Sequence, residues 1–219
     1  MPVAVVLDAC VLYPLPLRDT LLRVARQNLY AVRWSSRILA EVARNLIEDR
    51  RATPEQARNL IGAMRRAFQD AEIPEASMAA LEPSMTNEPS DRHVLAAAVA
   101  SSDAQAIVTS NLRHFPAAAC EPFGIEVVHP DAFLCNVYEH APTQVHDALA
   151  KQAADLSRPP MTINDLLDRR QESVPELVSR VRAAGLPRDA VEALWKRHPA
   201  RAGPQRPHQR PEIASTTGR

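Results

Sequence analysis

Val3-Ala4-Val5-Val6-Leu7-Asp8 is a run of β-branched and aliphatic residues of strand length that ends on an acid. An unbroken apolar run suits a strand buried on both faces, as in a parallel sheet. A Pro-containing turn, Tyr13-Pro14-Leu15-Pro16, and a helical pattern from Asp19 to about Leu29 follow it. Tyr30 to Trp34 reads as a second strand, and Ser35 or Ser36 can cap a helix that runs to about Arg50. Thr53-Pro54-Glu55-Gln56 is a capping box with Pro at the first helical position, which predicts a helix to about Phe68. Residues 71–90 hold three prolines and little periodicity and read as a loop. Ser90-Asp91 opens a helix from Arg92 to Ser101. Ala106-Ile107-Val108-Thr109 and the stretch from Gly124 to Val128 complete four predicted strands. Strands alternating with helices imply an α/β fold with a mainly parallel sheet. Ligands of such sheets bind beyond the carboxyl ends of the strands, where Asp8 and the Ser110-Asn111 pair fall.

The strand signal ends near Asp131. Helical stretches follow at 131–139, 143–156, 163–170, 174–184 and 188–197, a small all-helical appendage. Residues 1–138 form the expected α/β domain, 139–197 the helical region, and 198–219 a Pro-rich basic tail expected to be disordered. No apolar run reaches membrane-spanning length, and the N-terminus lacks the basic region of a signal peptide. Cys10, Cys120 and Cys135 have no metal or redox spacing and suit a reducing cytoplasm. The net charge is zero, and of the 26 basic residues only Lys151 and Lys196 are lysines. Arginine favours bidentate phosphate contacts, but a GC-rich genome produces the same excess.

Three acids fall at informative places. Asp8 ends the first strand, where it can serve a ligand or hydrogen-bond the following turn. Glu41 flanks the stripe Ile38, Val42 and Leu46; its spacing to Arg37 and Arg44 alone favours a solvated ion-pair ladder. Asp91 stands at a helix start, where a simple cap would explain it.

Their order along the chain is more specific than any one of them. Asp8-Ala9-Cys10 after a strand, Glu41 on a helix, Asp91-Arg92-His93-Val94-Leu95-Ala96-Ala97-Ala98, then Ile107-Val108-Thr109-Ser110-Asn111 with Phe115 and Pro116, resembles the PIN-domain nucleases over residues 3–138. The nearest likeness is to VapC-like toxins of VapBC-type toxin–antitoxin systems. The resemblance implies a PIN-like three-layer fold and a site of Asp8, Glu41, Asp91 and Asn111, with Asp8, Asp91 and Glu41 as metal ligands. PIN domains usually carry Asp at the fourth position. Asn111 removes one carboxylate, which bears on a second metal more than on the first.

Clustered carboxylates repel one another, and hard oxygen ligands select Mg²⁺, or Mn²⁺, over zinc. The resemblance therefore implies a Mg²⁺-dependent endoribonuclease acting on RNA, a small antitoxin that occupies the groove, no membrane association, and a homodimer as one assembly open to it. A catalytically weakened RNA- or protein-binding module is the alternative that Asn111 raises. A haloacid-dehalogenase-type hydrolase would need a second Asp where Cys10 stands. His93, two residues from Asp91, reads as structural or surface, and Cys10 as packing under Asp8. Arg18, Arg23, Arg113 and His114 read as solvated rather than as phosphate contacts. Deleting residues 200–219 is expected to leave the melting temperature nearly unchanged; a large fall on truncation would show that the tail is docked.

Overall fold

The computed structural model describes residues 2–156 and 161–184. Strand β1 (Ala4–Leu7) is buried on both faces and leads through Asp8 into a single helical turn, α1 (Ala9–Leu12). Helix α2 (Leu15–Ala25) begins inside the segment expected to be a turn. Prolines are tolerated in a first helical turn, where their missing N–H groups have no partner to lose. Asn28, in the left-handed region at φ 60°, redirects the chain into β2 (Ala31–Ser35). The Ser35 hydroxyl then accepts from Ile38 N and starts α3 (Ser36–Glu48) directly at the strand's end.

The expected capping box of Thr53 and Gln56 is present and opens α4 (Pro54–Ala67). Residues 71–90, expected to be a loop, contain a two-residue strand, β3 (Glu72–Ile73), and a short helix, α5 (Glu75–Ala79). Two 3-10 turns at Glu82–Ser84 and Pro89–Asp91 follow. A two-residue strand has no periodicity to read; pairing with β2 creates it, with Trp34 opposite Glu72 and Ser35 opposite Ile73.

Helix α6 (Arg92–Ala100) is buried from His93 to Ala98, because its alanines let it lie close to the sheet. Strand β4 (Ala104–Val108), the turn α7 (Ala117–Cys120) and β5 (Glu126–Val128) complete the α/β layers. The sheet order is β3-β2-β1-β4-β5, and every pairing is parallel. The first-made strand thus sits at the centre, and its carboxyl end is where the strand order reverses, the position at which open α/β sheets bind ligands. The observed fold is the expected three-layer α/β arrangement with a helical C-terminal region.

That region consists of α8 (Pro130–His140), α9 (Pro142–Asp155), α10 (Ile163–Asp168) and α11 (Pro175–Ala183). The described residues fall in one compact unit; the expectations for 188–197 and the tail lie outside them. Helix α9 packs along α2, and Phe133 meets Tyr30 edge to face at 4.8 Å. A buried polar set fixes the contact: Thr20 Oγ1 donates to Gln152 Oε1 at 2.9 Å, and Arg170 Nε donates to Thr20 Oγ1 at 3.3 Å. Asp131, near the start of α8, accepts from Glu176 N at 3.0 Å and Leu177 N at 2.9 Å. It caps α11 from another helix, since Val174 at the capping position offers no side-chain acceptor. Asp131→Ala is expected to destabilise the fold by about 1–2 kcal/mol in urea unfolding, the usual scale of a lost cap, with Asp131→Asn milder.

Candidate functional site

Asp8 and Thr109 leave adjacent strands at one level. Leu7 pairs with Val108, Asp8 N donates to Val108 O at 3.1 Å, and Thr109 N donates to Val128 O at 3.1 Å. Thr109 Oγ1 donates to Asp8 Oδ2 at 2.7 Å, and Cys10 Sγ donates to the same oxygen at 3.1 Å. Cys10 Sγ also accepts from Ser110 N at 3.2 Å, so the thiol links the ends of β1 and β4 as well as packing under Asp8. Burial and the neighbouring Asp8 charge push this thiol up to about 12, so it stays protonated and unreactive near neutrality.

Asp8 is 3% exposed. Burial raises its carboxyl above the ordinary 3.8, the Thr109 and Cys10 hydrogen bonds oppose the rise, and the charges of Asp91 and Glu41 add to it. Glu41 and Asp91, distant from Asp8 in sequence, are therefore near enough to repel it.

Asp91 ends the 3-10 turn Pro89–Asp91, and its side chain makes no cap bond to α6. Its Oδ2 instead meets Ser90 Oγ at 3.2 Å and His114 Nδ1 at 2.6 Å. A second tie between these loops runs from Glu88 N to His114 O at 3.1 Å. His114 therefore belongs to the site, contrary to its expected place in a solvated loop; no local pattern marks a contact between residues 23 apart.

Glu41 forms no ladder with its own helix. Arg37 turns away to Glu82, with Nη1 to Oε1 at 2.7 Å. The neighbour of Glu41 is His93, whose Nε2 lies 3.6 Å from Oε2. This imidazole, together with Arg44 and Arg37 at longer range, holds the Glu41 carboxyl below its ordinary value. His93 is 2% exposed, not a surface residue.

Asn111 stands just past β4. Its backbone N donates to Thr109 Oγ1 at 3.0 Å, two hydrogen bonds from Asp8, and its side-chain amide bonds to no described residue. Arg18 is buried and donates to Leu12 O at 2.6 Å, stabilising the end of α1; Arg23 is paired with Asp19 and Asp155. Neither is a solvated residue free for phosphate.

The three carboxylates share one pattern. Asp8 Oδ2, Asp91 Oδ2 and Glu41 Oε2 are each held or faced by a neighbour, while Asp8 Oδ1, Asp91 Oδ1 and Glu41 Oε1 have no partner among the described residues. Among the described residues, no group of three or more His, Cys, Asp or Glu side chains is close enough together to hold a metal ion. The donor chemistry nevertheless fits Mg²⁺, which keeps several waters and needs only one or two carboxylates from the protein.

All four candidate positions fall within residues 4–113, which match the family model described as PIN domain and make up half of the chain. The chain belongs to the PIN-domain family. Its residues 130–188 match a second family model, described as VapC50 C-terminal domain. It is also 43% identical over 101 residues to a Mycobacterium tuberculosis protein named "Putative ribonuclease VapC50". That stretch is 45% of this chain and spans 57% of the length of the relative. No solved structure matches the chain. The PIN-domain protein described here is thus VapC-like, with C-terminal helices that match the C-terminal domain model of VapC50.

The raised Asp8 carboxyl has a consequence for stability. The native state keeps this proton above 3.8, where the unfolded chain has lost it, so the Asp8 contribution falls as pH rises through the raised value. In metal-free buffer, Asp8→Asn is expected to melt above wild type at about pH 7, with the gap closing as pH falls through the raised value towards 3.8. A gap that is independent of pH would contradict the assigned cause.

Proposed function

We propose that this PIN-domain protein is a divalent-cation-dependent endoribonuclease and the toxin of a VapBC-type pair. The observation that carries the reading is the set of three carboxylates at the carboxyl edge of the sheet, in which Asp91 and Glu41 both act on Asp8 and each acid keeps one oxygen without a partner among the described residues. Asp8, Asp91 and Glu41 would hold Mg²⁺ or Mn²⁺. A divalent ion at such a site supplies charge neutralisation for a phosphodiester and makes water a competent nucleophile near neutral pH.

The remaining work falls to the chain. Thr109 and Cys10 fix Asp8 through Oδ2 and leave Oδ1 for the cation. His114 and Ser90 do the same for Asp91. The Asn111 amide orients water or substrate at the position where the family usually carries Asp. The substrate is RNA, and the partner is a small antitoxin protein that covers the groove. The protein acts in the cytoplasm; no described helix is long and apolar enough to cross a membrane. A second reading, a PIN-like RNA- or protein-binding module with weakened catalysis, draws on Asn111, since one carboxylate fewer binds cations less tightly.

Cleavage of single-stranded RNA by the purified protein is expected to require Mg²⁺ or Mn²⁺ and to stop with EDTA. Asp8→Asn should lower the rate at least about 100-fold with the fold intact, as expected for loss of an anionic ligand. Asn111→Asp should lower the metal concentration for half-maximal cleavage, and Asn111→Ala should reduce activity. Superimposable metal titrations for wild type and both Asn111 variants would place Asn111 outside the site. Metal-independent RNA binding without cleavage would favour the second reading.

A further inference from the structure

Helix α6 is apolar from Val94 to Ala98, yet its buried face begins with an imidazole. His93 is 2% exposed, and neither ring nitrogen has a hydrogen-bond partner among the described residues. Burying an unpaired polar group is costly, and a leucine would fill the same space without that cost. Packing therefore gives no reason for His93. Its Nε2 is aimed at Glu41 Oε2, 3.6 Å away on a different helix. No residue of α3 competes for that oxygen: Arg37 is engaged with Glu82, and Arg44 makes no ion pair with Glu41.

We propose that His93 is a positioning residue that holds Glu41 in the metal-binding orientation through the contact of its Nε2 with Oε2. The proposal rests on the metal-site reading above. It gives α6 two tasks at once: Asp91 stands at its N-cap, and its buried face aims Glu41 of α3. The Glu41 oxygen left free, Oε1, is then the one presented to the cation. Neighbours that orient a ligand in this way commonly change metal affinity 10–100-fold when removed.

Calorimetric titration of the full chain with Mn²⁺, without RNA, tests the assignment. His93→Leu is expected to weaken Mn²⁺ binding about ten-fold while the melting temperature of the metal-free protein is kept or raised. His93→Gln, whose amide can donate near the Nε2 position, is expected to recover most of the affinity. In a Glu41→Gln background, His93→Leu should have little further effect, because the carboxylate it positions is gone. Wild-type affinity in a folded His93→Leu protein would overturn the proposal. An equal loss in both backgrounds, or failure of His93→Gln to recover affinity in a folded protein, would overturn it too. If wild type itself bound no Mn²⁺, the metal-site reading would fall and take this role with it, whereas Mn²⁺ binding indifferent to His93 would remove the role alone.

Discussion

A carboxylate held almost out of water at the end of the central strand is the constraint around which the candidate site is arranged. Asp8 has almost no solvent to screen its charge, and no cationic side chain pairs with it. Two weak neutral donors, a hydroxyl and a thiol, offset part of the burial. Two further carboxylates make matters worse. Proteins rarely tolerate such an arrangement for packing alone, because an apolar residue would do better. The parallel sheet makes it possible: β1, with neighbours on both sides, fixes Asp8 where two strand ends and the start of α6 converge.

The layered fold was legible because long apolar or periodic segments carry their own signal. β1, the capped helices α3 and α4, and the four C-terminal helices were all visible in pattern and capping chemistry. What the pattern hid was either short or produced by tertiary contact. β3 has two residues and exists through its pairing with β2. The prolines at 14 and 16 look like a turn until one asks which N–H groups a helix start leaves unpaired.

The carboxylates of the site were legible through their order along the chain, but their histidine neighbours were not. Local spacing gave Glu41 two arginine partners on its own helix, whereas it faces an imidazole on another. Local spacing likewise left His114 in solvent, although the 3-10 turn after β4 carries it onto Asp91. Charge pairing within a helix is worth only a few tenths of a kcal/mol, so tertiary geometry readily overrides it.

The central strand is made first on the ribosome, and its partner β4 emerges about a hundred residues later, as the pairing of Leu7 with Val108 dictates. Until then a nascent chain can pair β1 with β2 alone, and Asp8 lacks the Thr109 hydroxyl. Asp91 meets His114 later still. Closing so long a loop is slow compared with forming local helices. The site is therefore assembled only after most of the α/β layer has been synthesised, and a chain released before β4 carries Asp8, Glu41 and Asp91 without the Thr109 and His114 contacts that hold two of them.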